Sequence, residues 1–166
     1  MLEMSYMSLT KTAITSANGI GVFTRGYPDQ LEEANQRNLG ALTTFRSKKK
    51  WRAVENALNW RDDEIRVYFC PIGEDKIHYT AVLDALLISP EAGPDLAEEF
   101  LETDLEIHRE HDDGLWEQWG GVNTLYRVTQ FHQVEEPFSF TKLRKVSDGE
   151  NIDSDYGYSY SLVHQI

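Results

Sequence analysis

The sequence predicts an α+β domain with a small, curved and mostly antiparallel sheet, or a pseudo-barrel, and about three helices. The main evidence is two segments of alternating apolar residues, 65–70 and 77–83, which flank a short turn and predict an antiparallel hairpin. Five or six strand-like and three helix-like segments follow one another along the chain, joined by both tight turns and longer connections. The length of 166 residues is sufficient for one hydrophobic core, so residues 1–166 are assigned to a single domain.

The first predicted elements are two short strands, 13–16 and 20–24, around an Asn-Gly pair at 18–19 that favours a tight turn. A helix of about ten residues is then expected from the Pro-Asp pair at 28–29, because proline is tolerated in a first helical turn and acids there complement the dipole. Gly40 is assigned as the residue that follows this helix.

A second helix is predicted to start near Ser47. Trp51, Val54 and Leu58 recur at helical spacing and share one face, which predicts that they are buried together. The lysines of this segment are then expected in the first helical turn, where they oppose the helix dipole.

The central hairpin is expected to consist of two half-buried strands, since apolar side chains in 65–70 and 77–83 occupy alternate positions. Pro71 and Gly73 end the first of these strands. A third helix is predicted from about Asp95, with its acidic side chains directed outward.

The C-terminal part predicts further strands. Segment 124–134 is rich in β-branched and aromatic residues, which is typical of a long strand, and Pro137 is expected to end it. Segment 138–146 suits a strand or a short helical turn, and 147–149 a turn. Segment 156–163 is expected to be a terminal strand whose three tyrosines lie on one face, most simply for packing.

Charge is strongly segregated along the chain. The sequence contains 28 acidic and 16 basic residues, a net charge of -12. Eleven of the acids and a single base lie in 84–113, which we call the acidic segment. Five bases lie within seven positions and form the basic patch: Arg46, Lys48, Lys49, Lys50 and Arg52. A uniformly acidic protein would repel phosphate, but segregated charges predict a separate basic surface. The simpler interpretations are a solvated helix face or adaptation to high salt for the acids, and a solvated helix start for the lysines.

Evidence for catalysis or metal binding is weak. The sequence contains no phosphate-binding glycine loop and no Gly-x-Ser-x-Gly nucleophile motif. Cys70 lies in a predicted strand, where a buried structural role is favoured. His108 and His111 are three residues apart beside several carboxylates, yet they match no strong metal motif. We therefore expect no metal and no cofactor, and a binding protein rather than an enzyme.

Two tryptophans, Trp116 and Trp119, fall in the glycine-containing segment 115–121, which is expected to be an irregular loop. A base stacks on an aromatic ring with roughly 1–3 kcal/mol, so these indoles are candidate stacking groups. The alternative is that both rings close the end of the sheet.

The cellular compartment of the protein is predicted from three features that the sequence does not contain. No run approaches the roughly 20 apolar residues of a membrane span. The first eleven residues do not show the charged and apolar regions of a signal peptide. The single cysteine excludes an intrachain disulfide. These features favour a cytoplasmic protein without a membrane partner.

Several segments of this sequence resemble PUA-like barrels, the superfamily that includes EVE and ASCH domains. They are 65–69, 77–82, 124–128, 136–143 and 158–160, and the likeness extends over roughly residues 47–163. The resemblance implies a pocket at the mouth of a small barrel that receives a nucleobase, often a modified one. It also implies a role in RNA modification, translation or restriction.

The function predicted from these observations is nucleic-acid binding, with recognition of one extruded base in RNA or DNA, plain or modified. The basic patch would contact phosphates, Trp116 or Trp119 would stack on the base, and Arg127 or Asp148 would contact its edge. Two alternatives stay open. One is a small ASCH-like hydrolase or nuclease. The other is a protein-interaction module whose acidic segment mimics nucleic acid and binds a basic groove on a partner protein.

Overall fold

A computed structural model describes residues 19–60, 63–88, 123–157 and 159–166. The described chain contains six strands, two α-helices and one 3-10 turn. In chain order they are β1 (Ile20–Gly26), α1 (Pro28–Asn35), β2 (Thr43–Ser47), α2 (Arg52–Trp60), β3 (Arg66–Pro71), β4 (Lys76–Ile88), β5 (Thr124–Ser139), the 3-10 turn (Phe140–Lys142) and β6 (Tyr160–His164). The predicted strand at 13–16 and the helix from Asp95 lie outside the described residues.

All six strands form one mixed sheet in the order β2-β5-β4-β3-β1-β6. The β1–β3 pair is parallel, and the other four pairs are antiparallel. The predicted α+β class with a mostly antiparallel sheet is therefore confirmed. Among the described residues no pairing joins the edge strands β2 and β6, so the sheet is open and is not closed into a barrel.

The central hairpin is confirmed, with β3 paired antiparallel to β4 from Arg66↔Val82 to Phe69↔Tyr79. The expectation that its two strands are half-buried was wrong, because residues 67–71 of β3 and 79–83 of β4 are all buried. Val67 packs in one core cluster and Tyr68 in a second one on the opposite side of the sheet. Both faces of β3 are covered because this strand lies in the middle of a sheet with a core on each side.

The first core cluster lies between the sheet and the two helices. It includes Leu31 of α1 and Val54 of α2, together with aromatic rings from β2, β3 and β5. The second cluster lies beneath the chain that follows β5 and contains Phe140, Leu143 and Ile152. In a sheet covered on both faces, alternate residues of a strand are buried on opposite sides, so the sequence of such a strand is a nearly continuous apolar run.

The sheet is strongly curved, as the ring contacts of Trp51 show. Its indole lies 4.1 Å from the ring of Tyr126 and 5.1 Å from the ring of Tyr160, measured between centroids, and both pairs are nearly parallel. Tyr126 belongs to β5 and Tyr160 to β6, and three strands separate β5 from β6 in the sheet. The curvature therefore brings opposite parts of the sheet against one indole.

The predicted start of the second helix near Ser47 was wrong, because Ser47 is the last residue of a strand. Segment 43–47 pairs with β5 from Thr43↔Val128 to Ser47↔Thr124, and α2 begins only at Arg52. The first helix also ends earlier than predicted, at Asn35, so Gly40 does not follow it directly. Local periodicity did not indicate β2, whose partner lies about eighty residues further along the chain.

Two features of the C-terminal half also differ from prediction. β5 continues through Pro137 to Ser139. Pro137 lies in a register shift of β5 opposite the step from Ile77 to Tyr79 in β4. Regular pairing is interrupted there, so the backbone N–H that proline lacks is not needed for a hydrogen bond between the strands. The terminal strand begins at Tyr160, not at residue 156.

The three C-terminal tyrosines do not share one face as predicted. Tyr156 packs against the second cluster and Tyr160 against the first, while Tyr158 lies outside the described residues. The predicted turn at 147–149 is present, with Gly149 at a positive φ of 74°. No helix in the described ranges has the length and apolar character needed to cross a membrane.

Candidate nucleic-acid interface

The basic patch is distributed over three consecutive parts of the fold. Arg46 lies on β2 and Arg52 is the first residue of α2. Lys48, Lys49 and Lys50 form the connection between them, the lysine loop, and all three are exposed. The lysines therefore precede the helix instead of occupying its first turn, because β2 extends as far as Ser47. Arg46 is partly buried, whereas Arg52 is exposed and lies 3.2 Å from Glu55.

The backbone of the lysine loop is anchored at every residue. The carbonyl of Lys48 accepts a hydrogen bond from Asn123 Nδ2 at 2.7 Å, and that of Lys49 accepts one from Thr124 Oγ1 at 2.6 Å. The carbonyl of Lys50 accepts one from Tyr160 Oη at 3.0 Å. The carbonyls therefore bind the body of the domain, while the three ammonium side chains extend from an ordered backbone.

A second layer of hydrogen bonds connects the lysine loop to the buried indole of Trp51. Ser47 Oγ accepts from Trp51 Nε1 at 3.0 Å and from Lys49 N at 3.3 Å. Thr124 Oγ1 accepts from Trp51 N at 3.1 Å while it donates to Lys49. The register Ser47↔Thr124 places these two hydroxyl groups opposite each other at the ends of β2 and β5. Sequence reasoning missed both, because their roles depend on that distant pairing.

We expect Thr124→Val to lower the free energy of unfolding by about 1–3 kcal/mol. Valine has the same shape and suits a strand, but it leaves the buried Trp51 N–H without its acceptor and Lys49 without its donor. Chemical denaturation monitored by circular dichroism measures the loss. Thr129→Val, on the same strand but with a partly exposed side chain, is the matched control. Equal stability changes in the two variants would contradict the anchoring role of Thr124.

The structure brings one further predicted residue, Arg127, close to the basic patch. Arg46 pairs with Leu125, and Arg127 lies two residues further along β5, so the two arginines are diagonal neighbours on one face of the sheet. Arg127 Nε donates to Asp84 Oδ2 at 2.8 Å. Asp84 is the first residue of the acidic segment, so the charge of Arg127 is partly neutralised there.

Asp148 belongs to a turn in which both of its carboxylate oxygens have partners. Oδ1 accepts a hydrogen bond from Glu150 N at 2.9 Å, and Lys145 Nζ lies 3.0 Å from Oδ2. These contacts lower the pKa of Asp148, the hydrogen bond from Glu150 contributing most and that from Lys145 next. The geometry gives Asp148 a turn-stabilising role, and its contact with a base stays a prediction.

The remaining site predictions lie outside the described residues. They concern Trp116, Trp119, His108, His111 and all of the acidic segment beyond Ile88.

Cys70, the cysteine considered as a candidate nucleophile, is buried as predicted. Its Sγ lies 3.2 Å from the carbonyl of Glu74, and burial raises the pKa of the thiol to about 11. The group is therefore protonated near neutral pH and is a poor nucleophile. In the described part of the chain, no three His, Cys, Asp or Glu side chains are grouped so that they could hold a metal ion.

No protein-family model matches this chain, and no curated protein matches it. The function is therefore inferred from the residues of the chain itself.

Proposed function

We propose that this protein binds nucleic acid through the basic patch. The observation that carries the proposal is the lysine loop, in which three consecutive exposed lysines extend from a backbone anchored at each carbonyl. Arg46 lies two residues before this loop and Arg52 two residues after it. Closely spaced cations on an ordered backbone suit the regularly spaced phosphates of a nucleic-acid strand, which lysine and arginine bind without regard to sequence.

The net charge of -12 is compatible with this proposal because the acids are concentrated elsewhere in the sequence. Range 19–60, which contains the basic patch, has seven basic and four acidic residues. Exposed charges separated by more than about 8–10 Å are largely screened at physiological ionic strength. A phosphate at the lysine loop therefore responds mainly to the local cations.

The finer parts of the proposal come from the sequence. They are a PUA-like domain, recognition of one extruded base, and stacking by Trp116 or Trp119. The single cysteine supports a cytoplasmic setting. Arg127 is the candidate for contact with the base edge, since it neighbours Arg46 on the sheet.

A salt titration of the wild-type protein tests the proposal. Single-stranded and duplex oligonucleotides are titrated by fluorescence anisotropy over a series of salt concentrations. If three to five of the cations contact phosphate, the logarithm of the duplex binding constant should fall with the logarithm of salt concentration with a slope of about -2.7 to -4.5. Absence of binding to every oligonucleotide at low salt would reject the proposal and favour a protein partner for the acidic segment.

A further inference from the structure

A stack of three aromatic rings leads from the core to the lysine loop. Tyr126 and Trp51 are buried, with exposed fractions of 2% and 0%, whereas Tyr160 at the end of the stack is partly exposed. The planes of Trp51 and Tyr160 are 21° apart. Among the described residues, Trp51 is the one ring that stacks on Tyr160. A further planar group added beyond Tyr160 would extend the same stack.

Tyr160 is also tied directly to the basic patch. Its hydroxyl donates to the carbonyl of Lys50 at 3.0 Å in a solvent-exposed hydrogen bond. The position of the Tyr160 ring is thus fixed by two contacts. One face of the ring stacks on the indole of Trp51, and its hydroxyl is bound to the lysine loop. A ring held in this way loses little conformational entropy when a ligand packs against it.

We propose that Tyr160 is a stacking platform for an unpaired base, which makes the basic patch a site for single-stranded nucleic acid. This inference rests on the proposed function. Bases in a duplex are stacked on each other and do not present a face to a protein side chain, whereas an unpaired base does. A strand whose phosphates contact Lys48, Lys49 or Lys50 passes beside the ring of Tyr160, and an aromatic ring stacks with any base.

The test compares two probes and two variants. The probes are single-stranded oligothymidylate and an abasic oligonucleotide of the same length, which keeps the phosphates but has no bases. The wild type is expected to prefer oligothymidylate. Compared with Tyr160→Phe, which lacks the same hydrogen bond to Lys50, Tyr160→Leu should bind oligothymidylate about 5- to 150-fold more weakly, and the two variants should bind the abasic strand equally well. Tyr160→Phe keeps the ring and is expected to retain the preference, even though it lacks the hydrogen bond to Lys50.

A separate measurement on the wild type covers the case in which Tyr160→Leu does not fold. Oligodeoxyuridine containing 5-iodouracil is irradiated in the complex, and the cross-linked residue is identified by mass spectrometry. A cross-link at Tyr160 is expected. Cross-links only at other residues, or equal affinity of the wild type for the two probes, would overturn the inference.

The result distinguishes this inference from the proposed function. A protein that binds both probes equally well, with a steep salt dependence, would retain nucleic-acid binding and lose the stacking role of Tyr160. A protein that binds neither probe would lose both.

Discussion

Replacement of Trp51 by alanine is expected to lower the free energy of unfolding by about 3–5 kcal/mol, the range for removal of a large buried aromatic side chain. The indole is fully buried and lies between Tyr126 of β5 and Tyr160 of β6. Its ring nitrogen donates to Ser47. The substitution therefore removes the group that joins opposite parts of the curved sheet and leaves a cavity between two rings. Urea denaturation followed by circular dichroism measures this loss.

Two further variants separate packing from a general intolerance of tryptophan loss. Trp60→Ala, at the partly exposed end of α2, removes the same side chain outside the stack and should cost much less. Trp51→Phe keeps an aromatic ring between the tyrosines and should recover part of the stability. A Trp51→Ala variant as stable as Trp60→Ala would show that the indole does not hold the sheet together.

The triple variant Lys48→Gln, Lys49→Gln, Lys50→Gln is expected to weaken binding of all oligonucleotides alike. The lysines offer charge to phosphates and do not contact base edges, so sequence preference should be unchanged. Three lost phosphate contacts should flatten the log–log salt dependence by about 2 to 3 units. Stability should change little, because the hydrogen bonds of the lysine loop use backbone carbonyls. Anisotropy titrations at several salt concentrations measure the change in slope.

A control of equal charge shows whether the effect belongs to the basic patch. The control is a second triple variant, Lys76→Gln, Lys142→Gln, Arg144→Gln. It also removes three exposed cations, but these lie on β4, in the 3-10 turn and just beyond that turn. It should leave the salt dependence close to that of the wild type. If both triple variants weaken binding equally, the interaction reflects the overall charge of the protein and the basic patch is not the binding site.

Features that depend on neighbouring residues could be predicted from the sequence. The alternation in 65–70 and 77–83 predicted the hairpin, since strand period is visible within a few residues. Proline in the first turn predicted α1. β2 was missed because five residues carry little periodic information and its pairing partner is distant. The error displaced the start of α2 and changed the position assigned to the lysines.

The cluster of cations at 46–52 and the burial of Cys70 follow from composition and local pattern, so the amino-acid order was sufficient to predict them. The way in which the fold anchors the backbone of the lysine loop cannot be predicted from the amino-acid order in this way. Lys49 contacts Thr124 across 75 residues, and Lys50 contacts Tyr160 across 110. Strand register and sheet curvature bring these groups together. Both are properties of the whole sheet, because each depends on pairings between segments that are remote along the chain, and local periodicity contains no information about them.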